Sequence, residues 1–226
     1  MAHVPSDRTE RALVAAALVL APAALAVGLL LRFEPDGSSV EKLAEIADGI
    51  GRWRTGWLLT AIGGLLAVPM AIALGGFVRN SSQVGSLAGR LLGTVGGVGL
   101  VAQSFLRGLH GADLAEDAAV PGLAEGAAAA WSEIQRGFVR PPVYSGELLA
   151  AGLIVLGLAL AQRAPATRWA GWLVAFGGLV VGVGHFVAVP PLAGAGAIVL
   201  LAGTAPFAAA VWRGALPIVP PPGSPG

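Results

Sequence analysis

A small set of polar residues with the chemistry of a binding site occurs near the ends of apolar segments. Gln103, Arg107 and His110 are spaced at i, i+4 and i+7, so in a helix they share one face. His185 lies near the end of a later apolar segment. Arginine offers a carboxylate or phosphate a two-pronged contact. This set predicts a site for the polar head of a ligand, with Trp131 nearby.

The histidines leave a haem or metal site open as an alternative. His110 and His185 could bind the two faces of a haem iron, or hold a divalent metal together with Asp113 or Glu116. In the simpler interpretation His185 bonds a backbone carbonyl or Gln103, and His110 faces water. We therefore expect no resident cofactor, with haem as the alternative.

Long apolar segments must position these residues. The chain of 226 residues is 55% hydrophobic and 12% charged, about half the charge of a typical soluble domain. Six runs each reach the roughly 20 residues that a helix needs to cross a bilayer. We predict one domain over residues 1–215 and a disordered, proline-rich tail over 216–226. The predicted spans are residues 12–31, 57–78, 84–106, 143–161, 170–189 and 192–212.

Several function classes are disfavoured by what the chain lacks. It has no cysteine, which excludes thiolate chemistry, and a net charge of +1, which offers no basic surface for nucleic acid. Its single lysine, Lys42, lies outside the predicted spans, so no retinal Schiff base can form within them. We also expect every acidic residue to lie outside the six apolar runs, whereas coupled transporters usually hold an acid at the middle of the membrane. We therefore expect a protein that is not an enzyme.

Glycines recur along the third apolar run at a spacing that favours close helix packing. A four-residue repeat of small residues forms one stripe against which a neighbouring backbone can pack. A similar pair in the fifth run is the expected facing surface. A channel wall or a homodimer seam is the alternative. The residues are Gly85, Gly89, Gly93 and Gly97 in the third run and Gly178 and Gly182 in the fifth.

The two long connections predict interfacial helices on one side of the membrane. Ser38 and Glu41 form a capping-box pattern ahead of apolar residues at helical spacing. The second connection, 109–142, contains Trp131 as an anchor. The two connections either form a cap over the third and fifth spans or remain separate and solvated. Arginines in the short connections favour both termini in the cytoplasm.

A weak internal similarity suggests a repeat. Arg52-Trp53 followed by Gly63-Gly64 is echoed by Arg168-Trp169 followed by Gly177-Gly178. Two halves of three helices each would be inverted in the membrane, as in many transporters. A passive transporter of this type is therefore one alternative function.

The order of features also resembles a group of known sequences. An acidic helix over 41–47 is followed by Gly51-Arg52-Trp53-Arg54, and Ala128-Ala129-Ala130-Trp131 precedes the fourth span. In this the chain is similar to small uncharacterised inner-membrane proteins common in high-GC bacteria. The resemblance implies a helical bundle in the bacterial inner membrane and transfers no catalytic residue.

These observations predict an all-α, six-transmembrane-helix bundle with two external interfacial helices. The function we expect is non-catalytic: binding of a lipid or a hydrophobic small molecule, or support of a membrane partner through the cap. A membrane-protein partner or a homo-oligomer is compatible with this interpretation. The alternatives are the passive transporter and, more distantly, a haem or metal protein using His110 and His185.

Overall fold

The computed structural model describes residues 8–137, 145–163 and 167–214. Within these ranges the regular structure is helical, and one π-helical segment, Ser104–Leu109, follows directly on α4. The α-helices are α1 (Arg8–Leu31), α2 (Ser39–Asp48), α3 (Ile50–Val78), α4 (Gln83–Gln103), α5 (His110–Ala118), α6 (Ala124–Gly137), α7 (Ser145–Arg163), α8 (Arg168–Phe186) and α9 (Pro190–Trp212).

The protein is a multi-pass membrane protein with an all-α fold. In the described part of the chain, six helical stretches are long and apolar enough to cross a membrane. They are α1, α3, the continuous helical path from α4 to α5, α7, α8 and α9. This confirms the predicted number of spans. Their ends differ, because α3 begins at Ile50 and the helical path of α4 continues to Ala118 instead of ending near residue 106. The predicted tail at 216–226 lies outside the described residues.

The spanning helices form a closed ring. Each packs against the next in the order α1, α3, α4, α7, α8, α9, and α9 returns to α1. The two neighbours of α4 in this ring, α3 and α7, also contact each other, so α4 lies on the outer side of that contact. Fully buried side chains such as Leu25, Met70, Leu153 and Leu200 belong to one continuous apolar core. The middle of the bundle is therefore filled by hydrocarbon side chains.

This ring does not have the arrangement that inverted repeats require. Inverted repeats are related by a two-fold axis that lies in the plane of the membrane. Seen along the membrane normal, the helices of the second half must then follow one another around the bundle in the opposite direction to those of the first half. Here α1, α3 and α4 are followed in the same direction by α7, α8 and α9. The similarity between the sequences near Arg52 and Arg168 therefore does not correspond to a symmetric pair of halves.

The glycines of α4 serve two neighbouring helices. A side chain at Gly96 would overlap the backbone of Leu149 in α7, and one at Gly97 would lie 2.6 Å from the carbonyl oxygen of Gly64 in α3. The sequence predicts that Gly178 and Gly182 face α4, but in the structure they do not. They pack against Leu153 and Ala150 of α7, respectively, because α7 lies between α4 and α8.

The other members of the stripe vary in their surroundings. A Cβ at Gly89 would overlap Leu156 of α7, and one at Gly93 would lie 2.7 Å from the Cβ of Ala71 in α3. At Gly85 the nearest atom is the hydroxyl of Ser82, within the same helical turn. The stripe thus drifts around α4, so close packing is shared between α3 and α7.

A cap of short helices covers one end of the ring. Ser38 and Glu41 form the predicted capping box at the start of α2, and hydrogen bonds from Ser38 hold the pKa of Glu41 below its usual value. The helices α2, α5 and α6 bury a second apolar cluster that includes Leu43, Trp53 and Trp131. This cap rests on α3 and on the π-helical segment, and among the described residues it does not reach α8. The sequence expectation of a cap over the third and fifth spans is therefore wrong for the fifth span.

The glycine contacts predict a difference between two glycine substitutions. Gly96→Ala should destabilise the bundle by about 1–3 kcal/mol, because the added methyl group overlaps α7. Gly126→Ala in α6 is the control, since nothing lies within 4 Å of its Cβ position, and it should be neutral or slightly stabilising. Unfolding in detergent checks both. Equal stabilities would contradict the described packing of α4 on α7.

Candidate functional site

The site begins where α4 changes to a π-helix. The π-helical segment Ser104–Leu109 carries Arg107, and the indole N–H of Trp53 donates to the carbonyl oxygen of Gly108 at 2.8 Å. A side chain at Gly108 would overlap the ring of Trp57. Wider π-turns commonly occur at functional sites because they redirect side chains. Here two buried tryptophans of α3 fix the segment that presents Arg107.

Two arginines share one carboxylate beside this segment. Arg32, directly after α1, pairs with Glu34 at 3.3 Å, and the other oxygen of Glu34 pairs with Arg107. The guanidinium of Arg32 lies 3.6 Å from the centre of the Trp57 ring, a cation–π contact. Burial lowers the pKa of Arg32 to about 10, against the opposing effect of Glu34, so the group stays protonated at neutral pH.

The arginines retain donors that the protein does not use. Arg32 is only 4% exposed. Among the described residues, neither its Nε nor its Nη1 has a hydrogen-bond partner, and the same holds for Nε of Arg107. Buried polar groups are normally paired, and an unpaired charged donor is costly. The described protein groups therefore leave part of the hydrogen-bonding capacity of both arginines unused.

A cavity of about 230 Å³ lies beside these arginines, at the cap-side ends of α1, α4, α7, α8 and α9. It leaves room for several waters or a small charged group. The polar residues on its wall that bear on binding are Arg32, Glu34, Gln103, Arg107, Glu147 and His185.

The start of α7 joins opposite walls of the cavity. The hydroxyl of Ser145 donates to Oε1 of Gln103 at 3.0 Å, which ties α7 to α4. Gly146 leaves space for the ring of His185, since a Cβ there would lie 2.5 Å from the imidazole Cγ. Nε2 of His185 is buried and has no partner among the described residues. Thus His185 reaches the cavity although α7 separates α8 from α4.

The structure brings part of the predicted set together. Gln103, Arg107 and His185 line the cavity. His110 does not: it is exposed on α5, because the π-helical segment breaks the regular spacing that would keep it on the face of Arg107. Trp131 is buried in the cap, with its ring centre 6.5 Å from that of Trp53. It is therefore a packing residue of the cap and does not line the cavity.

Other cavity residues were missed by sequence reasoning. Arg32 and Glu34 were not singled out, although a charged pair directly after an apolar run is a usable signal. Glu147 lies in the first turn of the spanning helix α7. The expectation that every acidic residue lies outside the apolar runs is therefore wrong for Glu147, which lies within the predicted span 143–161 as well as within α7.

The haem and metal alternatives require that His110 and His185 bind the same haem iron or the same metal ion. His185 lines the cavity, whereas His110 is exposed on α5 and is not part of the wall. In the described ranges no group of three histidine, aspartate or glutamate side chains is placed to hold a metal ion. The arrangement thus gives no support to a shared site on His110 and His185.

Comparisons do not add a relative from which function could be transferred. No family model, curated protein or solved structure matches this chain. The functional argument therefore rests on the chemistry of the cavity.

The shared carboxylate predicts a stability effect. Glu34→Gln should destabilise the protein by about 1–3 kcal/mol, because it leaves Arg32 and Arg107 facing each other without a counter-charge. Asp36→Asn, in the same connection but with an exposed side chain, is the matched control. Chemical unfolding in detergent measures both. An unchanged stability of Glu34→Gln would contradict the role of Glu34 as the bridging anion.

Proposed function

We propose that this protein is a non-catalytic membrane protein that binds the phosphate-bearing head group of a membrane lipid in the cap-side cavity. One observation carries the proposal: Arg32, a buried cation whose Nε and Nη1 are unpaired among the described residues, lines the cavity. A phosphate oxygen supplies the acceptor that this charged group lacks. A phosphate presents several acceptor oxygens, and a hydrogen bond between two charged groups is stronger than one between neutral groups.

The charges of the cluster favour an anion. Glu34 is shared by Arg32 and Arg107, so these three side chains carry one excess positive charge. The unpaired Nε of Arg107 adds a second donor beside the first. An anionic group in the cavity balances the cluster, and the low dielectric near the membrane strengthens the interaction.

The location of the cavity favours a lipid over a soluble anion. The cavity lies at the ends of the spanning helices, where lipid head groups meet hydrocarbon. Phe186 lines it and is 75% exposed, and Val187 and Val189 are exposed beside it. An apolar rim of this kind accommodates acyl chains next to a charged pocket. The apolar core below gives no corresponding support to transport.

The proposal predicts which arginines control lipid binding. Arg32→Gln and Arg107→Gln should each lower the retention of phospholipid by about tenfold or more, since each removes a charged donor to phosphate. Arg54→Gln is the control, because Arg54 pairs with Asp113 and Glu116 on the cap surface. Native mass spectrometry of detergent-purified protein titrated with phospholipid measures retention.

Diacylglycerol with the same acyl chains separates head-group binding from general lipid adhesion. The wild-type protein should retain phospholipid over diacylglycerol. Equal retention of the two lipids, or wild-type retention in both cavity variants, would contradict the proposed function. Because Arg32 is buried and its replacement could impair folding, Arg107, whose side chain is 15% exposed, provides an independent variant.

We also propose that the protein resides in a bacterial inner membrane with both termini in the cytoplasm. The arginine content of the short connections supports this orientation. The cap then faces the periplasm, and the lipid site lies in the outer leaflet of that membrane.

Cysteine labelling tests the orientation. Ala44→Cys in α2 and Ser81→Cys between α3 and α4 are both at exposed positions, on opposite ends of the bundle. An impermeant thiol reagent added to spheroplasts should label the first and spare the second until the membrane is opened. The reverse pattern would invert the orientation, and labelling of both from outside would contradict the spanning arrangement.

A further inference from the structure

A second charge in the cavity is not used by the arginine cluster. Glu147 lines the cavity and lies in the first turn of α7. Among the described residues, no cation forms an ion pair with Glu147. The same cavity therefore offers a carboxylate as well as guanidinium groups.

A hydrogen bond between α7 and α4 lies between the helix segments that carry these opposite charges. The hydrogen bond between Ser145 and Gln103 joins the start of α7 to the end of α4. Arg107 follows Gln103 by four residues on one side of this link, and Glu147 follows Ser145 by two residues on the other. A ligand that spans the cavity meets a cationic wall and an anionic wall.

His185 adds a second acceptor near Glu147. Its ring packs against Gly146, the residue directly before Glu147, and its buried Nε2 has no partner among the described residues. A neutral imidazole has one nitrogen that accepts a hydrogen bond. Together with the carboxylate, this nitrogen suits a group that donates several hydrogen bonds.

We infer that the cavity selects phospholipids whose head group ends in a primary ammonium, the ethanolamine class. The inference rests on the proposed function: the phosphate binds Arg32 and Arg107, and the ammonium binds Glu147. An ammonium with three N–H groups can donate to both Glu147 and Nε2 of His185, whereas a trimethylated ammonium cannot donate to either. A glycerol head group has no positive charge to pair with Glu147.

A lipid series tests this selection. Wild-type protein and Glu147→Gln are titrated with phosphatidylethanolamine, phosphatidylcholine and phosphatidylglycerol of identical acyl chains, and retention is read by native mass spectrometry. The wild-type protein should retain phosphatidylethanolamine about tenfold more than the other two, the size of one charged hydrogen bond. Glu147→Gln should lose this preference while still binding phosphate. Glu147→Asp, which keeps the charge, should recover part of it.

Controls separate the inference from the proposal on which it rests. Glu125→Gln, at an exposed position on α6, should leave the preference unchanged. If wild-type protein shows no preference for phosphatidylethanolamine, or if Glu147→Gln keeps it, the inference is overturned while phosphate binding through the arginines stands. If wild-type protein retains none of the three phospholipids above diacylglycerol, the proposed function itself fails. Melting temperatures of all variants establish that each is folded.

Discussion

One carboxylate between two arginines sets the character of the cap side of this protein. Charged groups near the hydrocarbon must be paired or must bind something, because the cost of desolvating them is high. Glu34 pairs with both Arg32 and Arg107, yet unpaired N–H groups of both arginines remain buried among the described residues. The bundle thus satisfies its internal charges only in part. We propose that the group which accepts from these N–H groups binds in the cavity beside them.

The surrounding architecture holds this cluster in place from two directions. The ring of glycine-packed helices fixes the ends of α1, α4, α7, α8 and α9 around the cavity. From the cap side, Trp57 stacks beneath Arg32, and Trp53 bonds the backbone of the π-helical segment that carries Arg107. The cap therefore does more than cover the helix ends. It supports the aromatic surface on which the arginines rest.

Apolar runs about 20 residues long were enough to predict six spans, since hydrophobic length is a local property of the sequence. The capping box at Ser38 was local in the same way. The position of His110 could not be predicted locally, because the π-helical segment changes the helical register. No simple sequence pattern indicates such a segment. Helix neighbours also escaped prediction: apolar faces look alike, so Gly178 gave no sign that it would pack on α7 instead of α4. Arg32 and Glu147 come together only through that helix order.

The most direct test of the account is an experimental density map of the protein in a bilayer of bacterial phospholipids. We predict a lipid head group in the cap-side cavity, with phosphate oxygens within hydrogen-bond distance of Nε or Nη1 of Arg32 and of Nε of Arg107. Its acyl chains should leave past Phe186. A cavity that contains only water, with those donors bonded to protein groups, would contradict the account.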